Sequence, residues 1–136
     1  MADITVTAAS VVLTSGQTDT GTAGATITAG QLLYKDSANN NVLKAATCAA
    51  AASSVVCGMA LNGGASGQPI QFAKAGAVMV PGATLGVGEI YVLSDGSGTY
   101  APRADLTAGD KVVIVGYATT ASSLTLLLKD TVTTKA

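Results

Sequence analysis

The sequence contains no histidine and no tryptophan, and the first absence limits the chemistry available to it. Histidine is the commonest general base and metal ligand, and it activates the nucleophile in most serine and cysteine enzymes. The eight acidic residues are spread singly, mostly in turn-forming stretches where aspartate bonds to its local backbone. We therefore predict a protein that is not an enzyme and that holds no metal ion and no cofactor.

Charge is also scarce. Charged residues make up 11% of the chain, against roughly 25% in typical globular proteins. The seven lysines and arginines are scattered and the net charge is −1, so the sequence offers no basic face for a nucleic acid. A surface with so few charges is poorly protected against association. The composition predicts a protein buried in an assembly that does not bind nucleic acid.

Long apolar runs and aromatic side chains are missing as well. The most apolar stretch, residues 45–61, is mostly alanine and is interrupted by serines, a threonine and a glycine, so no membrane span is predicted. The first residues lack a basic region followed by an apolar core, which indicates no secretory signal and synthesis in a cytosol. One phenylalanine and four tyrosines are too few for a carbohydrate-binding platform.

One stretch of the sequence occurs twice. Residues 24–34 read GATITAGQLLY and residues 82–92, 58 positions later, read GATLGVGEIYV. The same offset places residues 55–60 on residues 113–118 and Ile70 on Leu128 without a gap. Because apolar runs, glycines and turn-forming stretches all stay in register, we interpret the pattern as an internal duplication.

The two cysteines, Cys48 and Cys57, correspond to Leu106 and Val115 in the second copy. Their spacing allows a disulfide, but a chain without an export signal is expected to keep reduced thiols. We interpret both cysteines as small buried apolar residues. Two cysteines without a histidine do not form a standard zinc site.

Turn-forming residues recur about every 8–12 positions between short β-branched runs, which is typical of an all-β sandwich or barrel. We predict a compact single domain over residues 24–130, built from two similar β units at residues 24–73 and 82–130. Residues 131–136 are polar and are predicted to form a loose C-terminal tail. Four glycines are predicted to form structural turns, namely Gly30, Gly58, Gly88 and Gly116.

Residues 1–23 are polar, rich in threonine and outside the duplicated unit. Short apolar alternation there predicts an extended N-terminal arm or an edge strand. Two interpretations remain: an arm that reaches a neighbouring subunit, and a frayed terminus with one edge strand. The candidate contact residues in this segment are Ile4, Val6, Val11, Val12 and Leu13.

Several segments from Ala29 onward combine glycine, small residues and aliphatics in a common order. They are residues 29–34, 56–61, 67–73, 76–83, 88–91, 113–118 and 124–128. This pattern resembles the capsid cement (decoration) proteins of tailed bacteriophages, over roughly three quarters of the chain.

The resemblance implies a structural virion protein that binds the outer surface of an icosahedral phage capsid and stabilises the shell. Its partners would be the major capsid protein and further copies of itself, usually as a homotrimer. It would lie on the capsid exterior after assembly in the host cytoplasm, and the five N-terminal candidates would contact the capsid or a neighbouring subunit. Two alternatives remain, a tail- or fibre-associated β module and a small surface-binding, adhesin-like domain.

Overall fold

The computed structural model describes residues 3–50 and 53–135, which form two antiparallel β-sheets packed face to face. The all-β prediction is confirmed, and the architecture is a sandwich. Its strands are β1 (Val11–Ser15), β2 (Thr18–Thr22), β3 (Leu32–Asp36), β4 (Val42–Ala45), β5 (Gly58–Ala60), β6 (Pro69–Ala73), β7 (Val78–Pro81), β8 (Ile90–Leu93), β9 (Tyr100–Pro102), β10 (Lys111–Ala118) and β11 (Leu124–Thr134). Helical structure in the described residues is limited to three 3-10 turns, Ala8–Ser10, Ser37–Asn39 and Arg103–Asp105.

The two sheets share one topology. Sheet A has the order β1-β7-β11-β10-β8-β9, and sheet B has the order β2-β6-β5-β3-β4. Strands β2 to β6 and strands β7 to β11 therefore form two five-strand units in which the first strand lies beside the fifth, followed by the fourth, second and third. Strand β1 is an addition beyond β7. The units begin one strand earlier than the sequence repeat predicts, and their origin by duplication stays a prediction.

The central strand pairs also share a register. Leu32 lies opposite Met59 in sheet B, and Ile90 lies opposite Tyr117 in sheet A, 58 positions later. The constant offset then fails at the last strand of each unit, because Met59 lies opposite Ala73 whereas Tyr117 lies opposite Thr125. The connection before β6 spans residues 61–68 and the one before β11 spans residues 119–123. The predicted match of Ile70 with Leu128 is therefore wrong.

The main core lies between the sheets. Sheet A contributes large side chains such as Met79, Tyr91 and Leu126, and sheet B contributes Leu32 and Met59. All of these are buried. At about 1.5–3 kcal/mol for each large apolar side chain removed from water, this layer is the main source of stability.

A second, smaller core covers the opposite face of sheet B. It is built on side chains that alternate with those of the main core, namely Leu33, Leu43, Ala60, Ile70 and Phe72. Ala23 and Ile27 close it from outside. The backbones of Ile27 and Gly64 exchange hydrogen bonds of 2.8 and 2.9 Å, which fixes this cover. Sheet B is therefore buried on both faces.

Two of the four predicted turn glycines lie inside strands. Gly58 begins β5 and Gly116 lies within β10, so the prediction of turns at these positions is wrong. A Cβ on Gly58 would collide with the carbonyl oxygen of Ala73, and one on Gly116 with that of Thr125. These glycines permit close approach of neighbouring strands. Gly30 and Gly88 do lie in turns, with φ of 90° and 79°.

The N-terminal segment is part of the sandwich. The Ile4 N–H donates to the Tyr100 carbonyl at 2.9 Å and the Thr7 N–H to the Gly82 carbonyl at 2.8 Å. Strand β1 then forms an edge of sheet A and β2 forms an edge of sheet B. Of the two predicted alternatives, an extended arm or an edge strand, the described residues form edge strands, because the apolar side chains of the segment pack on the core.

The predicted loose tail is also corrected. Strand β11 continues to Thr134, with Lys111 opposite Thr134, and the Lys135 N–H donates to the Asp110 carbonyl at 2.8 Å. Threonine is polar yet β-branched, and it favours a strand when a neighbour is available for pairing. Residue 136 lies outside the described residues.

We predict that Gly58→Ala and Gly116→Ala each lower the free energy of unfolding by about 3 kcal/mol or more, because the new methyl group meets fixed backbone. Gly109→Ala is the matched control. Its φ is +94° and no described atom lies within 4 Å of the added Cβ, so only the backbone strain of about 1–2 kcal/mol remains. Urea unfolding midpoints measure the differences, and equal losses in all three variants would contradict the prediction.

A second prediction concerns the tyrosine pair in the main core. Tyr100 is fully buried, its hydroxyl has no hydrogen-bond partner among the described residues, and its ring meets Tyr91 edge to face at 5.7 Å. Tyr100→Phe should raise the free energy of unfolding by about 1 kcal/mol, since a buried unpaired hydroxyl is costly. Tyr91→Phe should lower it, because the Tyr91 hydroxyl accepts from the Gly86 N–H at 2.9 Å. A loss of stability in Tyr100→Phe on thermal unfolding would count against this assignment.

Candidate interaction surface

The structure separates the five predicted contact residues into two groups. Ile4, Val6, Val11 and Leu13 are half-buried and pack against the protein's own main core. Val12 points away from that core and is 55% exposed. Alternation along β1 explains the division, because successive side chains of a strand lie on opposite faces. Val12 alone is available to a partner in the way the sequence predicts.

Strand β1 is the least protected of the four sheet edges. Natural edge strands are usually short, charged, interrupted by proline or covered. Strand β9 has three residues and ends in Pro102, β2 carries Asp19, and β4 carries Lys44 and is covered by a backbone bridge to Ala23. Strand β1 reads VVLTS and has neither charge nor proline. Its one irregularity is a register shift between Leu13 and Ser15.

Apolar side chains also cover the side of sheet A that faces away from sheet B. Cross-strand pairing defines this outer face: Val12 lies opposite Val80, Val78 opposite Thr125, Thr125 opposite Tyr117, and Tyr117 opposite Ile90. Directly opposed residues share a face, and so do residues two apart in a strand. We call this set the outer face; its residues are Val12, Val78, Val80, Ile90, Tyr117, Thr125 and Leu127.

The outer face holds most of the exposed large apolar side chains in the described residues. Val12 is 55% exposed, Leu127 45% and Tyr117 39%. The other two, Val55 and Val87, lie outside the strands. Clustered apolar exposure on one sheet marks an interaction site, whereas single exposed residues are ordinary.

The sequences of β10 and β11 carry a signal for the outer face. Strand β10 reads KVVIVGYA and β11 begins LTLLL, so both are apolar at successive positions. A strand with one wet face alternates between apolar and polar residues, and continuous apolar runs are typical of strands covered on both faces. On the outer side of sheet A, Val92 and Ala101 towards the β9 edge are fully buried, whereas Tyr117 and Leu127 are exposed. The pattern therefore predicts a partner layer over the exposed part of this side.

The cysteines are free and lie in different cores. Cys48 is fully buried in the main core, and Cys57 is half-buried beside the second core. Burial raises the pKa of the Cys48 thiol to about 12 and also raises the pKa of Cys57. The interpretation of Cys48 as a small buried apolar residue is confirmed, and both thiols are held in their unreactive protonated form.

Several acidic side chains accept hydrogen bonds, and those of Asp3 come from residues far away in the sequence. Asp3 accepts from the hydroxyls of Ser94 and Thr99, the second at 3.1 Å. Asp36 accepts from the Ala38 N–H at 3.2 Å and pairs with Lys44 at 2.8 Å, and that pairing holds the pKa of Asp36 below its usual value.

Among residues 3–50 and 53–135, no group of three or more histidine, cysteine or acidic residues is arranged to hold a metal ion. The described part of the chain also has no helix with the length and apolarity of a membrane span.

Comparison with known proteins identifies no relative. No protein-family model matches the sequence, and no curated protein matches it closely enough to count as one. The resemblance to capsid cement proteins therefore stays a prediction from the sequence pattern. The structure contributes two surfaces from which a function can be argued, the unprotected edge of β1 and the outer face.

We predict that Asp110 makes stability fall in acid. The Thr107 N–H donates to its carboxylate at 3.0 Å, and this bond holds the pKa of Asp110 below the usual 3.8. A carboxyl whose pKa is lower in the folded state stabilises fully above its unfolded pKa and loses that contribution as pH falls through the folded value. Asp110→Asn should therefore be less stable at pH 7 and should lose less stability below pH 4. Urea midpoints from pH 7 to pH 2 test this, and parallel curves for variant and wild type would refute it.

Proposed function

We propose that the protein is a structural component of a virion that binds the outer surface of an icosahedral phage capsid and stabilises the shell. The sequence resemblance and the charge-poor composition support this role. The structural observation that carries it is the open edge of β1, a neutral strand that has a neighbour on one side only among the described residues. Such an edge binds through its main chain and requires no catalytic chemistry.

The proposed contact is strand addition by an extended segment of the major capsid protein. Main-chain hydrogen bonds beside β1 would supply affinity, and the exposed Val12 would supply an apolar side-chain contact. Of the five residues that the sequence assigns to contacts, the three in β1, Val11–Leu13, would then act through their backbone, with the side chains of Val11 and Leu13 kept in the protein's own core. Repetition of a modest contact over a symmetric shell gives a strong total attachment.

The resemblance also supplies the placement that we propose. The protein lies on the capsid exterior and is assembled in the host cytoplasm. Its copies form homotrimers around three-fold positions once they are bound to the shell. Neutral side chains suit this role, because an edge strand without charges can bind a protein partner without the energetic cost of removing one of its own ions from water.

The test is co-sedimentation of the purified protein with undecorated phage heads, using Thr14→Pro and Thr14→Ala. Thr14 lies in the register shift of β1 and has no opposed residue in β7, so a proline there interrupts the strand edge at the kind of position where strands tolerate it best. Wild type and Thr14→Ala should bind, and Thr14→Pro should bind at least tenfold more weakly while unfolding at the same temperature. Wild-type protein that fails to sediment with heads would contradict the function. Unchanged binding by Thr14→Pro would contradict the edge contact alone.

A further inference from the structure

We propose that the outer face of sheet A is a self-association surface, and that two copies of the chain pack outer face against outer face in a two-fold dimer. The occupant is a second copy of this chain. The proposal rests on the geometry of the two units and on the distribution of apolar surface, and it does not depend on the capsid role.

The first step is that the equivalent face of the other five-strand unit, β2 to β6, is buried within the fold. Leu32, Met59 and Ala73 occupy positions in sheet B that correspond, by strand order and opposed pairing, to Ile90, Tyr117 and Thr125 in sheet A. The first three are fully buried against sheet A. The corresponding three lie on the outer face, where Tyr117 is 39% exposed. One face of the repeated unit is therefore covered by a sheet in the first unit and uncovered in the second.

The second step is that copies of the chain cannot stack head to tail. Within the molecule, the two units pack through unlike faces. The covered face of the first unit meets the side of the second unit that is turned away from the outer face. The corresponding opposite face of the first unit, which carries Leu33 and Phe72, is already closed by Ala23 and Ile27. A neighbouring copy could reach that face only if Ala23 and Ile27 were displaced from it. Continued head-to-tail stacking of copies into a filament is therefore blocked.

The third step is that the described surface offers no second apolar patch for a contact between unlike faces. Val55 and Val87 are the other exposed large apolar residues, and neither lies in a strand. When two copies that each have one apolar patch associate through it, each patch meets the same patch of the other copy, and this arrangement has a two-fold axis.

The chemistry of the face suits such a contact. The opposed row from Val78 through Thr125 and Tyr117 to Ile90 contains no charge. The nearest charge on β11 is the exposed Lys129, which lies on the same side of the sheet, two residues beyond Leu127 and opposite Ile114. Two such faces can meet at the usual sheet separation of about 10 Å without desolvating an ion.

The experiment is sedimentation equilibrium of the full chain over a wide concentration range. The wild-type mass should rise from 13.2 kDa towards twice that value as concentration increases. Tyr117→Lys and Leu127→Lys should weaken the association at least tenfold, because each would bury a charge in the contact. Val87→Lys is the matched control, since Val87 is 71% exposed and lies off the face, and it should associate like wild type.

Each outcome decides the proposal once urea midpoints show that the variants fold like wild type. A mass of one copy at all concentrations, a mass of three copies, or lysine variants that associate normally would overturn it. Co-sedimentation of the same variants with phage heads separates the two proposals. A Tyr117→Lys variant that is monomeric and still binds heads would support both proposals. A wild-type protein that dimerises but does not bind heads would support the dimer and contradict the capsid role.

Discussion

Burial of sheet B between two apolar layers is the constraint on which the rest of the structure depends. One face of the sheet meets sheet A, and the other meets Ala23 and Ile27. Where the sheet is enclosed in this way, its side chains are apolar and its strands approach one another closely at Gly58. Gly58 and its counterpart Gly116 in sheet A both lack a methyl group at a position where a Cβ would collide with the neighbouring backbone.

The fold class was predictable because turn spacing and β-branched runs are local properties of the chain. The repeat was also visible, since Leu32 and Ile90 open equivalent strands and share equivalent partners. Its extent was underestimated, because β2 and β7 are short and their pairing with β6 and β11 depends on residues more than 40 positions away. Gly58 and Gly116 were assigned to turns because glycine's effect on local conformation is visible in sequence, whereas a close approach between strands is not.

The candidate surfaces were harder to predict for the same reason. Val11, Val12 and Leu13 are equally apolar in sequence, and only the pairing of β1 with β7 decides that Val12 faces outward. Tyr117 corresponds to Met59 by the 58-residue offset, and the comparison is informative. The position is buried in the first unit and exposed in the second, because no described segment covers it there.

The passage of the N-terminal segment through both sheets has a consequence for how the molecule forms. Strands β1 and β2 are made before the strands they pair with, since β2 pairs with β6 and β1 pairs with β7. The β2 edge cannot form until the chain has been made to residue 73 and the β1 edge until residue 81, and β7 must also await β11. Contacts between residues so far apart in the sequence form slowly, because the entropy cost of closing a long loop comes before the stabilising contacts are made. Sheet A is therefore completed last, and β1 closes onto a structure whose other unit is already in place.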